Sequence, residues 1–229
     1  MATKYFARKP INHKGTHYRP GDEITGFTGW WRYWQYLRYA RVNQVDTIGA
    51  PVLGVITPGN LSLSLAVTGI EAVGGDPFTN FEYQLDAGSW VAFDPVDVLS
   101  PFTISGLTNG TTYAVRVRGL NAAGAGTQSN SVNGTPRTVP AAPTTLIATP
   151  GDTQASIAFT AGATGGSAIT NYKYRVGTGA WTAFAPVDTA TPVVITGLTN
   201  DVEVSVTLRA VNAAGDGAIS APVLVTPTV

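Results

Sequence analysis

The chain has 229 residues, 44% apolar and only 12% charged, with 14 basic and 14 acidic groups, no cysteine, 26 glycines and 15 prolines. That length admits one large domain or two ordinary ones, and the apolar supply is enough for packed cores although charge is well below the ~25% usual in folded domains. A disulfide framework and a thiolate metal site are excluded, and no run of ~18 apolar residues is present to span a membrane.

The N-terminal stretch Met1 to Pro10 lacks the apolar core of a signal peptide. The expectation is synthesis in a cytoplasm, with any role outside a cell reached by lysis or a dedicated route. Residues 1–46 carry eight basic and three acidic groups, a net +5, against six and eleven in the remainder, a net −5. Two parts of opposite charge are expected to face different neighbours.

Ten of the 22 aromatic residues also lie in residues 1–46. Pro10 to Ile24 reads as a hairpin, with a turn at Lys14-Gly15 and a second at Pro20-Gly21. Trp30 to Val42 contains no Gly or Pro and is predicted helical. Its spacing puts Trp30, Tyr33, Trp34 and Leu37 on one face, with Ala40 or Arg41. Trp31, Tyr36 and Tyr39 fall on the other faces, among Arg32, Gln35 and Arg38. A hairpin and a three-turn helix cannot bury aromatics on every side, and a core of about 40 residues is marginal without help. Trp30, Trp31, Trp34, Tyr36, Tyr39, Arg32 and Arg38 are therefore the candidate protein-interface residues, of the types enriched at binding hot spots. Docking of this module onto the rest of the same chain is the alternative. Nucleic acid is not expected as a partner, because the charge forms no dense stripe and matches no reader motif. A membrane surface is not expected either, because charges and aromatics interleave.

His13 and His17 have the four-residue spacing that binds metal on a helix, but they flank Lys14-Gly15-Thr16, which reads as a turn. They are expected to be solvated loop residues. With both histidines in one loop, no Ser/His/Asp arrangement forms. The sequence indicates no catalytic residue, metal or cofactor.

From residue 47 the pattern changes to short alternating strands: Leu61–Leu65, Phe81–Leu85, Phe102–Ile104 and Tyr113–Arg118. A period of two half-buries each one. Trp90 to Asp97 matches Trp181 to Asp188 at an offset of 91, as do Gly106-Leu-Thr-Asn109 with Gly197-Leu-Thr-Asn200 and Asn121-Ala-Ala-Gly124 with Asn212-Ala-Ala-Gly215. A period of about 90 is too long for a solenoid and suits a whole domain. The expectation is all-β: a small hairpin-plus-helix module over 1–46, then two sandwiches of about seven strands over 47–137 and 138–229. Between them, Thr135 to Pro143 holds three prolines in nine residues. This favours an extended, semi-rigid linker and a rod of roughly 70–80 Å.

The run Ile104 to Gly124, with its Gly-Leu turn, Tyr113 two residues into a strand, and Arg118, Asn121 and Gly124, resembles the second half of fibronectin type III domains. The resemblance implies an immunoglobulin-like sandwich and a tyrosine corner at Tyr113, whose hydroxyl bonds a nearby backbone group. The second copy has Val204 there. Phe93-Asp-Pro-Val-Asp97 is similar to bacterial and phage versions. The stretch Ile11 to Ile24, the helix and Arg41-Val-Asn-Gln-Val45 together resemble small tailed-phage structural proteins, although the helix here is Trp-rich instead of acidic and Leu-rich.

These resemblances imply a virion structural protein: a capsid decoration or short head fibre, multicopy on the particle. Its N-terminal module would bind capsid or other virion proteins and display two immunoglobulin-like domains that hold surface glycans weakly. A tail-associated virion protein is the alternative, as is a polysaccharide-binding or spacer module of a bacterial extracellular system. Trp90 and Trp181, each after a small turn at a sheet edge, are the candidate glycan contacts, since an exposed indole can stack on a sugar ring. The competing expectation, favoured because this Trp recurs in the resembled family whatever the ligand, is packing onto Phe93 or Phe184. Asp94 and Asp97 suggest a carboxylate pair or Ca²⁺ ligands. Asp94 becomes Ala185 in the second copy and Pro95 marks an irregular edge, so solvated carboxylates are expected.

Overall fold

The computed structural model describes residues 48–68 and 78–229, together with four short strands in the first 47 residues. These four are β1 (Tyr5–Ala7), β2 (Ile11–His13), β3 (Thr16–Tyr18) and β4 (Val42–Gln44). β2 pairs antiparallel with β3, Ile11 opposite Tyr18 and His13 opposite Thr16, as the predicted hairpin requires. β1 pairs antiparallel with β4, Tyr5 opposite Gln44. Val42 thus begins a strand and does not end a helix. The remainder of the predicted helix, with Trp30, Trp31, Arg32, Trp34, Tyr36, Arg38 and Tyr39, lies outside the described residues.

The structure is all-β, with no helix among the described residues. The first set of strands is β5 (Val52–Gly59), β6 (Ser62–Thr68), β7 (Asn80–Leu85), β8 (Val91–Ala92), β9 (Phe102–Ser105), β10 (Tyr113–Asn121), β11 (Gly124–Ala125) and β12 (Val132–Gly134). The second set is β13 (Thr144–Gly151), β14 (Gln154–Thr160), β15 (Ile169–Val176), β16 (Thr182–Ala183), β17 (Val193–Thr196), β18 (Val204–Asn212), β19 (Gly215–Asp216) and β20 (Val223–Val225). In the first set a three-stranded sheet runs β5-β6-β9, and a five-stranded sheet runs β11-β10-β7-β8 with β12 on β10. The second set repeats this strand for strand: β13-β14-β17, then β16-β15-β18-β19 with β20 on β18.

Alternation makes the cores. β6 buries Leu63, Leu65 and Val67, and β14 buries Ala155, Ile157 and Phe159 at the matching positions. In the second set these three, with Val193 and Ile195 of β17, join Tyr172, Val206, Leu208, Ala210 and Val225 of the five-stranded sheet in one cluster. Two sheets therefore close over one core, a β-sandwich-like arrangement. Each fully buried Val, Leu or Phe contributes about 1.5–3 kcal/mol by leaving water. In the first set Phe81 packs at 5.1 Å from Phe78 and 4.8 Å from Phe102, ring centre to ring centre.

The repeated polar motifs are turn staples. Leu61 sits at φ +54°, where a residue with a Cβ is disfavoured. Its N–H donates to Asn109 Oδ1 (2.9 Å), and its carbonyl accepts from the Leu107 N–H (3.0 Å). Thr153, at φ +53°, is held the same way by Asn200 (2.8 Å) and Leu198 (2.9 Å). Conserving Gly-Leu-Thr-Asn between the copies thus preserves a clamp on a strained hairpin. The tyrosine corner is present: the Tyr113 hydroxyl accepts from the Thr108 N–H at 3.1 Å.

Two compact units divide the chain. One comprises Met1–Val55, Ala66–Phe102 and Ala114–Val132, and the other Ile56–Leu65, Thr103–Tyr113 and Asn133–Val229. Within the latter, the proline-rich segment is bonded as well as stiff. Arg137 N donates to Gly59 O (3.0 Å), Thr138 N to Gly165 O (2.8 Å) and Ala141 N to Ala163 O (2.8 Å). Pro136, Pro140 and Pro143 are buried.

Candidate functional site

The turn after β7 positions Trp90. Asp86 takes φ +53°, donates its N–H to Ala114 O (2.8 Å) and accepts from Ala114 N (2.9 Å), so one residue both turns the chain and ties it to β10. Gly177 occupies this position in the second copy at φ +55°. The chain then re-enters as an edge strand, β8 on β7 and β16 on β15, with Trp90 and Trp181 immediately ahead of it.

Both tryptophans are half-buried, and neither takes the expected place on phenylalanine. Phe93 and Phe184 turn into the core, 5.0 Å from Tyr83 and 5.0 Å from Tyr174. The reason is parity. Residues three apart on extended chain face opposite sides, so Trp90 lies outside the sheet while Phe93 lies inside. The indole instead carries an arginine. The Arg118 guanidinium sits 4.3 Å from the Trp90 ring centre, and that of Arg209, the equivalent residue, sits 4.2 Å from Trp181. Such stacks contribute about 0.5–1 kcal/mol when exposed and more when desolvated. The signal was in the sequence, since Arg118 and Arg209 share the 91-residue offset of the tryptophans, but their strand register was not.

The surroundings of the two stacks differ. In the first copy Glu82, opposite Arg118 on β7, binds it at 2.6 Å through Nε. In the second, Lys173 stands opposite Arg209, and the carboxylate lies instead on β19, where Asp216 holds Arg209 at 2.6 Å and Lys173 at 2.9 Å. A second guanidinium, that of Arg175, lies 5.0 Å from the Trp181 ring centre. Gln84 occupies the position equivalent to Arg175 in the first copy.

The loop after each edge strand is held from within. Asn80 donates to Phe93 O (2.9 Å) and accepts from Phe81 N (2.8 Å) and Asp97 N (3.2 Å). Asn171 repeats all three bonds with Phe184, Tyr172 and Asp188. The Asp97 carboxylate accepts from Leu99 N at 2.9 Å, and Asp188 does the same for Ala190 N. These aspartates close their own loop, and Asp94 is exposed. Among the described residues no group of three His, Asp or Glu could hold a metal ion. The side chains of His13 and His17 lie outside the described residues.

Comparison with protein-family models and with curated proteins gives no match.

Proposed function

We propose that the chain is a structural component of a tailed-phage virion, a capsid decoration or short head fibre. Residues 1–46 form its anchor, and two domains of the fibronectin type III kind are displayed beyond it. The observation that carries this reading is the division of the chain into an aromatic, basic N-terminal stretch of net +5 and two copies of one frame totalling net −5. An anchor needs a surface that a partner covers, and repeated frames with short turns suit display. The hairpin pairing of β2 with β3 and the closing pair β1–β4 support the likeness to small phage structural proteins. The strand order of each copy, three strands against five, and the Tyr113 corner support the fibronectin type III assignment. On this reading the protein binds and builds and does not catalyse.

Sedimentation with phage particles that lack this protein tests the reading. The full chain is expected to pellet with the particles, and the variant Trp31→Ala/Tyr36→Ala to stay in the supernatant while keeping its β-sheet circular dichroism. Equal pelleting of both chains, or of neither, would overturn the anchor. A second reading, a polysaccharide-binding module of a bacterial extracellular system, is favoured by the half-exposed indoles of Trp90 and Trp181 at equivalent sheet edges. It predicts glycan affinity without any particle association.

A further inference from the structure

We propose that the outer face of the five-stranded sheet in the second copy, centred on Trp181, binds an acidic polysaccharide. This deepens the glycan-binding part of the reading above and rests on it, but not on attachment to a virion.

Charge placement is the first argument. Residues 138–229 contain only three cations, Lys173, Arg175 and Arg209, against five carboxylates. Their net charge is −2, yet all three cations gather on one sheet face. Register puts them there: Lys173 pairs with Arg209 and with Ala183, and Arg175 pairs with Thr207. Their neighbours in sequence, Tyr172, Leu208 and Ala210, point into the core. One carboxylate, Asp216, meets this group, and it holds Lys173 and Arg209. Arg175 has no ion pair among the described residues. Concentrating like charges costs free energy unless an anion compensates.

Unused hydrogen-bonding capacity is the second argument. Arg175 Nε, Arg209 Nε and Thr207 Oγ1 are buried and have no hydrogen-bond partner among the described residues. Buried polar groups in folded proteins are nearly always paired, so this face carries three that its own described residues do not satisfy. The part of the half-buried indole that Arg209 and Arg175 leave uncovered supplies an apolar surface against which the C–H face of a sugar ring can lie. A planar guanidinium beside it offers two parallel N–H donors to a carboxylate. An acidic sugar chain presents both groups together, with a ring face and a carboxylate on each residue.

The first copy is an internal control. It keeps the tryptophan and its arginine but has Glu82 and Gln84 where the second copy has Lys173 and Arg175. The same frame therefore folds with either set: the first face holds Arg116 and Arg118 against Glu82, and the second holds three cations against Asp216, the larger cationic excess.

The test is binding of galacturonic acid hexasaccharide to the full chain, by calorimetry at low salt, beside its methyl ester and a DNA duplex of equal charge. The acid is expected to bind at least about tenfold more tightly than the ester, through the charge-assisted bonds that esterification removes. Lys173→Glu/Arg175→Gln, which installs the first repeat's residues at these two positions, is expected to weaken acid binding by about tenfold or more. Trp181→Ala is expected to do the same, and Trp90→Ala to leave it within about twofold. Thermal midpoints of the variants establish that they fold. Equal binding of acid and ester would overturn the acidic preference and leave glycan binding standing. Binding of neither would overturn both. Duplex DNA bound as tightly as the hexasaccharide and regardless of Trp181 would reduce the face to a general anion attractor and overturn the proposal.

Discussion

Thr108 donates its backbone N–H to the phenolic oxygen of Tyr113, five positions on, at 3.1 Å, closing the turn with a side chain from the strand that follows. The second copy has Val204 at that place and goes without the bond. Replacing Tyr113 by Phe keeps the ring and removes the acceptor. Because the bond is exposed and water replaces it, the loss is expected at the lower end of the usual range, about 0.5–1 kcal/mol, in urea unfolding. A variant as stable as the parent would show that the ring alone holds the loop.

Asn80 is 8% exposed and joins three backbone groups of the β7 and post-β8 segments. Asn80→Ala strands the Asp97 N–H and the Phe93 carbonyl. The expected cost is about 2–3 kcal/mol, with faster amide exchange at Asp97 than at Val117 in the core. Uniform acceleration across the first set of strands would mean a global effect and not a released loop.

Gly119 and Phe78 fit together by size. A Cβ on Gly119 would lie 2.5 Å from a Phe78 ring carbon. At the equivalent positions the second copy has Ala210 and Ile169. Gly119→Ala is therefore expected to destabilise by about 1–3 kcal/mol through overpacking. Adding Phe78→Ile should recover much of that loss, giving a favourable coupling energy in a double-mutant cycle. Strict additivity of the two changes would refute the fit.

Tyr172 replaces Phe81 of the first copy, and burial raises its phenol pKa above the usual 10.0. In the unfolded chain the phenol ionises near pH 10, whereas the folded chain keeps its proton longer. Its contribution to stability is therefore intact below about pH 10 and declines as pH rises above that value, where the unfolded state holds fewer protons. Tyr172→Phe should flatten the alkaline limb of the stability profile. An unchanged limb would locate the alkaline sensitivity elsewhere.

The alternation of Leu63, Leu65 and Val67, and the fixed offset between copies, made the strands and their repetition legible, because both are local or self-referential signals. The Tyr113 bond was legible from its motif. The partner of Trp90 was not: Arg118 lies 28 positions away, and only the pairing of β7 with β10 brings it across. The opposite facing of Trp90 and Phe93 could have been read from their odd spacing. The asymmetry at Trp181 was also hidden, since Lys173, Arg175 and Arg209 look like scattered charges until register aligns them on one face.

The side-chain staples have a consequence for how such a protein can change over generations. Asn80 and Asn171 at the strands β7 and β15, Asn109 and Asn200 in turns, and Ser129 and Ser220, which accept from Val117 N and Leu208 N, fix the backbone. These residues are distinct from Glu82, Gln84, Lys173 and Arg175, although Asn80 and Asn171 precede Glu82 and Lys173 by two on the same strands. Residues that secure the fold and residues that face outward are thus inherited as separate sets. A duplicated copy can exchange Glu for Lys or Gln for Arg on its surface while these staples stay in place.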